Sequence, residues 1–175
     1  HCSRLFAILR MKQCALLDGL TADEYRAVRK IIIGMVLATD LSQHFDDLTR
    51  FKTRLQNDKQ WSAEAMEDKK MAAEMVLHAA DLSGPARPWV VSHAWSTKVQ
   101  EEFVAQVASE KRLGLPVSHF LTAEKAKLEV GFIDLFANPV WDALGQLLPQ
   151  VSDRVATLHD NYERWTQQLE GQSGQ

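Results

Sequence analysis

Asp81 occupies a position from which a carboxylate can take part in chemistry. It follows the apolar run 75–77 and directly precedes the turn Ser83-Gly84-Pro85, with a second proline at Pro88. Because proline disfavours the helical region for the residue before it, a helix that ends near Asp81 is predicted. A carboxylate held rigidly at such a point suits a metal ligand or a catalytic acid. The alternative is that Asp81 only caps the turn by accepting from the backbone amide of Ser83 or Gly84.

Several short segments stand in a definite order along the chain: VLATDLSQH at 36–44, HAADLSGP at 78–85, Trp95, EEF at 101–103, VGFID at 130–134 and PVW at 139–141. Each segment alone is a weak signal, and their shared order makes the set specific. Together they resemble the class I 3′,5′-cyclic nucleotide phosphodiesterases. The resemblance implies an all-α fold, a compact multi-helix bundle of the HD type.

The resemblance covers only the C-terminal half of that catalytic domain, which we assign to residues 1–170, with 171–175 as a disordered tail. It implies that the N-terminal helices of the domain are missing. The family's phosphate-protonating histidine and most of its metal ligands match nothing in this chain, so no catalytic acid is assigned. His1, followed by Phe6 and Leu9, is similar to the end of the family's paired-histidine helix.

The resemblance implies a two-metal reaction. In the family, zinc and magnesium or manganese share a hydroxide that attacks the phosphorus of the cyclic nucleotide. Such ions neutralise phosphate charge and lower the pKa of the attacking water. Asp81 matches a zinc-ligating carboxylate. Since none of the six histidines lies three to five residues from another, local spacing does not complete a zinc site. The chain as given is therefore expected to be inactive alone.

The resemblance also implies a pocket for the base of the nucleotide. Phe132 matches its aromatic wall, Val99 the opposite apolar wall, and Trp95 and Phe103 further lining. Glu129 stands where the family has a glutamine that bonds the base edge. A glutamine amide donates and accepts, whereas an ionised carboxylate only accepts. We therefore expect the pocket to disfavour cAMP, whose N1 offers a lone pair, relative to cGMP, or to bind neither well.

Two alternatives stay open for Glu129. Apolar walls raise the pKa of a carboxyl, and the protonated acid would again mimic the amide. Glu129 could instead point to solvent, as glutamates on helices often do. Elsewhere, Thr39 and Asp40 match a pair near the pocket that is expected to orient water and substrate. Gly84 replaces an asparagine that contacts the nucleotide.

The elements that carry these residues are all predicted to be helices, because apolar residues recur at helical spacing and no strand alternation is evident. The first is predicted over 2–17. Thr21 and Glu24 form a capping box for the second, which is expected to be central and mostly buried. A stripe from Leu41 through Phe45 to Leu55 predicts the third. Beside that stripe, His44 is interpreted as a hydrogen-bonded core or boundary residue without a second ligand nearby.

After a predicted loop at 57–65, a helix over 65–80 brings Asp81 to its turn. A long helix is predicted from Pro88 to Gly114. Its apolar residues recur every four positions and are interpreted as core: Val91, Trp95, Val99, Phe103 and Val107. Trp95, Val99 and Phe103 are also the residues that the resemblance assigns to the pocket. Thr122 is predicted to cap a helix that ends at Asn138-Pro139. A short amphipathic piece and a final helix with an apolar stripe over 151–169 follow.

The composition excludes several classes of protein. A chain of 175 residues with 46% hydrophobic content can form a core. The net charge is −3 and the basic residues, as in 124–127, are interpreted as solvated, so no nucleic-acid or membrane-surface partner is expected. No charge-free stretch is long enough to span a bilayer. Two cysteines make no disulfide framework, which favours a reducing, cytoplasmic location.

Three functions are compatible with these features. The first is hydrolysis of cAMP, cGMP or both to 5′-monophosphates by the completed domain, favoured by the Asp81 turn and the segment 130–134. The second is a non-catalytic pseudo-enzyme or interaction module, favoured by the unmatched metal ligands, Glu129 and Gly84. The third is a helical bundle without a ligand. If the upstream half is missing, the helices beginning at Tyr25 and Met66 would expose apolar faces, and the chain would aggregate or form a homodimer.

Overall fold

The computed structural model describes residues 1–56, 61–62 and 64–173, and within these ranges the chain is helical and contains no β-strand. The all-α prediction is confirmed. The α-helices are α1 Cys2–Leu9, α2 Ala22–Leu37, α3 His44–Gln56, α4 Met66–Asp81, α5 Trp89–Leu113, α6 Lys125–Phe132, α7 Asn138–Leu147 and α8 Ser152–Ser173. None of them, over the residues described, is long and apolar enough to cross a membrane. The chain divides into two compact units, His1–Asp81 and Leu82–Gln175.

In the first unit, α1 is shorter than the predicted helix over 2–17. It ends at Leu9, and an extended residue, Met11, separates it from a 3₁₀ turn at Lys12–Cys14. The apolar side chains beyond that point have little to pack against, since Leu16 is 84% exposed. The spacing of apolar residues alone therefore overestimated the helix.

The capping box of α2 is confirmed. The Thr21 hydroxyl accepts from the Glu24 amide at 3.3 Å, and the Glu24 carboxylate accepts from the Thr21 amide at 2.8 Å. The prediction that α2 is mostly buried is wrong, because none of its residues is fully buried and Leu37 is 62% exposed. Within this unit α2 packs mainly against α4 and to a smaller extent against α1, so these two helices cover only part of its wide apolar surface.

Gly34 of α2 faces the side chain of Glu74 on α4. A Cβ atom at this position would overlap the Glu74 carboxylate, so a larger residue would require that side chain to shift. The Glu74 side chain is nearly buried, and its charge is balanced by Arg50 and Lys70, each 3.5 Å away. The contact thereby links α2, α3 and α4.

The third helix agrees with the predicted stripe only in part. Leu48 and Phe51 are buried, whereas Leu41 and Phe45 are 46% and 52% exposed. Arg54 binds both carboxylate oxygens of Asp68, at 2.8 and 2.7 Å, and so joins α3 to α4. The predicted loop at 57–65 includes positions 57–60 and 63, which lie outside the described residues.

In the second unit, α8 forms the centre of the core. Leu158, Asn161 and Trp165 are buried, and the Trp165 ring packs against Trp89 and His93 at centroid distances of 4.9 and 5.3 Å. The helix continues to Ser173, and residues 174–175 lie outside the described part. The division into a domain over 1–170 and a disordered tail stays a prediction.

Asn161 also fixes the turn that follows α4. Its side-chain amide donates to the carbonyls of Pro85 and Arg87 at 2.6 and 2.7 Å. These carbonyls belong to the 3₁₀ turn at Gly84–Ala86 and its cap, where the prolines prevent a regular helix. A buried donor from α8 therefore replaces the missing helical bonds.

The fifth helix ends as predicted at Gly114, which adopts the left-handed conformation with φ 68°. The interpretation of its stripe as core is wrong for Val91, Trp95 and Val99, which are 43%, 63% and 39% exposed, while Val107 is buried. Residues spaced by four advance about 40° beyond a full turn at each step, so a long run of them winds around the helix. A stripe of this kind cannot stay on one face of a helix as long as α5.

Between Thr122 and Leu147 the chain differs from the prediction in two ways. Thr122 lies in a 3₁₀ turn, and Glu124 is the N-cap of α6, its carboxylate accepting from the Ala126 amide at 3.0 Å. A π-helix at Ile133–Ala137 then leads directly into α7, so the helical path does not break at Asn138-Pro139. Pro139 is the second residue of α7, and the helical path continues through it.

Candidate functional site

Asp81 lies at the end of α4 with its side chain exposed. No hydrogen bond joins its carboxylate to any residue of the described part of the chain, so the turn-capping alternative finds no support. The buried face of α4 behind it, which includes Met75 and Ala79, fixes the helix that carries it. The carboxylate is therefore held on a rigid element and is available to a ligand.

One turn before Asp81, His78 forms a buried pair with His44 of α3. The Nδ1 atom of His44 lies 2.8 Å from Nε2 of His78, and both side chains are nearly inaccessible. One ring must donate and the other accept, so at least one of the two is neutral. Burial lowers the pKa of His78, although Asp47, Asp81 and the Ala38 backbone act in the opposite direction.

The pair confirms that His44 is a hydrogen-bonded core residue. A second histidine does lie nearby, although no second ligand was expected, and among the described residues the two belong to no group of three possible metal ligands. The two residues are 34 positions apart in the chain. No local spacing could have revealed the contact, because it depends on how α3 packs on α4.

A small pocket adjoins this pair within the first unit, lined by Ala38, Asp47, Arg50, Met71, Glu74, Met75 and His78. Its charged groups are already matched, since Arg50 lies 3.0 Å from Asp47 and 3.5 Å from Glu74. The pocket therefore offers no uncompensated charge to a ligand.

Thr39 and Asp40 follow Ala38 at the end of α2 and make local bonds. The Thr39 hydroxyl donates to the Val36 carbonyl at 2.9 Å, and Asp40 accepts from the Ser42 amide at 2.9 Å. The second bond lowers the pKa of Asp40. These contacts stabilise the connection from α2 to α3, and the expected role of both residues in orienting water and substrate stays a prediction.

The residues described do not complete a metal centre. Among them, no three His, Cys, Asp or Glu side chains come close enough to hold an ion together. Asp81 fits one position of a coordination shell by charge and exposure, but zinc sites require about four ligands. The described residues therefore supply one candidate ligand, Asp81, and no complete metal site.

In the second unit, Glu129 lies on α6 and is half-buried. Burial raises its pKa, and the Ser96 hydroxyl and the Lys125 ammonium oppose that rise. The Ser96 hydroxyl is near the carboxyl without reaching normal hydrogen-bond geometry. Its position does not support the alternative of a carboxylate that simply points to solvent.

Ser96 relates Glu129 to the predicted lining residues of α5. Ser96, Val99 and Phe103 are three and four residues apart and so share one face of that helix. Val99 is 39% and Trp95 63% exposed, and Phe103 is half-buried, so all three are accessible. Glu129 thus stands beside the helix that carries the predicted apolar wall.

Phe132 lies three residues after Glu129, on the same side of α6. Its ring is half-buried, 5.7 Å from that of Phe136. The π-helix begins directly after Phe132 and places one wide turn beside the site. Single π turns of this kind are frequent at functional sites.

Sequence reasoning missed Lys125, which had been interpreted as part of a solvated face. Its ammonium lies 3.2 Å from Nε2 of His93 and 3.1 Å from the Thr97 hydroxyl, and 5.4 Å from the centre of the Trp165 ring. The partners lie on α5 and α8, far away in sequence. The short motif Glu-Lys-Ala-Lys gave no signal of this environment.

Comparisons with known proteins agree with the motif order. The sequence profile of the family described as 3′5′-cyclic nucleotide phosphodiesterase matches residues 1–158. The 3′,5′-cyclic-nucleotide phosphodiesterase regA of Dictyostelium discoideum is 31% identical over 97% of this chain, which corresponds to 22% of that protein. The 3′,5′-cyclic-AMP phosphodiesterase 4C of Rattus norvegicus is 32% identical over 95% of this chain and 33% of its own length.

A solved structure shares the fold. The phosphodiesterase domain of the RhoPDE fusion protein from the choanoflagellate Salpingoeca rosetta superposes with a TM-score of 0.91 and 28% sequence identity. All of this chain is matched, over 57% of that domain's chain, so the chain spans a little more than half of that domain. With a family match over most of its length, the chain belongs to the 3′,5′-cyclic nucleotide phosphodiesterase family.

Proposed function

We propose that the native polypeptide containing this chain hydrolyses 3′,5′-cyclic nucleotides to 5′-monophosphates. The match of residues 1–158 to the phosphodiesterase family carries this proposal. The Dictyostelium relative is named for cyclic nucleotides in general and the rat relative for cyclic AMP. Because the chain spans only part of each, the activity of the whole protein is inferred and needs a direct test.

The residues of this chain divide into two proposed roles. Phe132 and Val99 would enclose the base, Trp95 and Phe103 would extend the apolar lining, and Glu129 would bond the base edge. Asp81 would contribute one ligand to a centre of two divalent ions, zinc and magnesium or manganese, in the native polypeptide. When bound, such ions neutralise phosphate charge and activate water. The exposure of Asp81 and its place on a rigid helix end support this assignment.

We propose further that Glu129 biases the pocket towards cGMP. An ionised carboxylate accepts only, so it pairs with the N1–H of guanine and faces the N1 lone pair of adenine. Its half-buried position beside α5 supports a role in binding. Protonation would restore a donor and weaken the bias, so the preference should be strongest well above the raised pKa of Glu129.

A cytoplasmic location and a homodimer are also proposed. Cys2 and Cys14 are free thiols, which suits a reducing compartment. Val90 and Trp95 of α5 are 79% and 63% exposed, and large apolar side chains at a surface favour association. Light scattering after size exclusion, compared between the native polypeptide and Val90→Lys, tests the dimer.

The direct test is incubation of the native polypeptide, purified from its own cells, with cAMP and cGMP in the presence of zinc and magnesium. Release of the 5′-monophosphates, measured by chromatography, is expected, together with its loss in Asp81→Ala. Binding of a cyclic nucleotide without any product would overturn the hydrolase proposal. That outcome would favour the second candidate function, a non-catalytic binding module. The incomplete set of metal ligands around Asp81 in the described residues is the observation that favours this candidate.

A further inference from the structure

Lys125 is held in place at the start of α6. Lysine side chains near a helix end normally move freely in water, but this one is half-buried. Its ammonium donates to Nε2 of His93 at 3.2 Å and to the Thr97 hydroxyl at 3.1 Å. The Trp165 ring lies 5.4 Å from the nitrogen and adds a cation–π contact. The position of this positive charge is therefore fixed from three sides.

The partners on α5 are themselves arranged as acceptors. An ammonium can only donate, so Nε2 of His93 must be unprotonated for the contact to exist. Burial, and then the charge of Lys125, lower the pKa of His93, and its ring is stacked on Trp165 at an angle of 12°. The Thr97 hydroxyl donates to the His93 carbonyl at 3.0 Å, which turns its oxygen towards Lys125.

The fixed charge is close to Glu129. The two residues are four apart on α6 and so lie on the same face, one turn from each other. Among the described residues, Glu129 makes no ion pair within bonding distance. Lys125 therefore acts on the carboxyl through space while two of its three donors are bonded to His93 and Thr97. The Glu129 oxygens remain available to a ligand.

We propose that Lys125 is a specificity-determining positioning residue, which keeps Glu129 an acceptor-only carboxylate so that the pocket selects a purine edge carrying N1–H over one carrying an N1 lone pair. The inference rests on the proposed function, because it requires a purine nucleotide in this pocket. Burial raises the pKa of Glu129, and the Ser96 hydroxyl and then the Lys125 charge oppose that rise. Removing the charge would raise this pKa further and increase the share of the protonated form, which mimics an amide and accommodates adenine. Lys125 opposes that change without touching the base.

The test compares Lys125→Met with Lys127→Met in the native polypeptide. Methionine keeps the length of the side chain against Trp165 and removes the charge, and Lys127 is an exposed lysine on the same helix that controls for net charge. The first readout is the titration of the Glu129 carboxyl by carbon NMR, assigned through Glu129→Gln, and it requires no nucleotide. The second is the ratio of the dissociation constants for cAMP and cGMP between pH 5.5 and 8.

The expected result is a higher Glu129 pKa in Lys125→Met and a loss of cGMP preference of about five- to tenfold below neutral pH, since one pKa unit changes the ionised fraction up to tenfold. Lys127→Met should match the unaltered protein, and Lys125→Arg should retain most of the preference. If the titration and the ratio are unchanged in Lys125→Met, the role of Lys125 is overturned while nucleotide binding stands. If the unaltered protein binds neither nucleotide, the proposed function fails and the inference fails with it.

Discussion

The end of α4 and the face formed by α5 and α6 differ in how much of a site they supply. At the end of α4 there is one exposed carboxylate, Asp81, and behind it a buried pair of histidines, His44 and His78, whose ring nitrogens lie 2.8 Å apart. On α5 and α6 there are accessible apolar side chains, a half-buried acid at Glu129 and a positioned cation at Lys125.

The two regions are therefore suited to two different tasks, phosphate cleavage and base recognition. Phosphate cleavage needs several ligands gathered around metal ions, and the described residues offer one candidate. Base recognition needs walls and an edge group, which two neighbouring helices can supply by themselves. The residues of this chain therefore suit base recognition by themselves, and cleavage is proposed for the native polypeptide, with Asp81 as a contributor.

The largest effect is expected from Asp81→Ala. Loss of a metal-binding carboxylate removes several kcal/mol of transition-state stabilisation, so kcat should fall by about a thousandfold or more. Affinity for the nucleotide, measured by calorimetry, should change little, and bound metal, measured by mass spectrometry, should decrease. Asp46→Ala, which removes an exposed carboxylate from α3, is the control. Unchanged metal content and kcat would remove Asp81 from the site.

Asn161→Ala tests the support of the turn that precedes α5. The carbonyls of Pro85 and Arg87 both lose a buried donor, and the free energy of unfolding should fall by about 2–4 kcal/mol. Urea titration followed by circular dichroism measures it, with the exposed Gln168→Ala of the same helix as control. A loss no larger than that of the control would show that water or other groups satisfy these carbonyls.

Phe132→Ala should weaken binding of both nucleotides alike. Stacking of a base on an aromatic side chain contributes about 1–3 kcal/mol, so the dissociation constants should rise by roughly tenfold. Selectivity should persist, because every purine presents a π-face. Leu135→Ala, which alters an exposed apolar side chain on the adjacent π-helix, should leave both constants unchanged. A change in selectivity would contradict the proposed separation of roles, in which Phe132 stacks on the base and Glu129 recognises its edge.

The smallest expected effect is on stability against pH. The pKa of His78 is below its ordinary value of 6.5 in the folded chain, so the unfolded chain takes up the proton first. Stability should therefore fall as the pH drops through about 6.5 and level off below the folded pKa. The urea midpoint between pH 8 and 5 should depend less on pH in His78→Gln than in the unaltered protein. His159→Gln, at an exposed position, is the control. Equal slopes in His78→Gln and the unaltered protein would contradict the lowered pKa of His78.

Features fixed by neighbouring residues in the sequence were predictable. The Thr21–Glu24 capping box, the end of α5 at Gly114 and the delivery of Asp81 by α4 each depend on a few adjacent residues. The order of short motifs identified the family for the same reason, since each motif can be recognised in the sequence alone.

Features fixed by packing were not predictable. The exposure of α2 and the winding of the α5 stripe depend on which helices lie alongside, and spacing along one helix does not contain that information. The His44–His78 pair and the Lys125–His93 contact join residues 34 and 32 positions apart. In the sequence, none of these histidines belongs to a motif that would connect it to its partner.

Base recognition by Glu129 is tested most directly by the ratio of kcat/KM for cGMP to that for cAMP, measured near pH 8 for the native polypeptide and its Glu129→Gln variant. We predict a preference for cGMP that falls by about tenfold in the variant, because the glutamine amide can serve either base while the carboxylate only accepts. An identical ratio in the two proteins would contradict the claim that Glu129 reads the base edge.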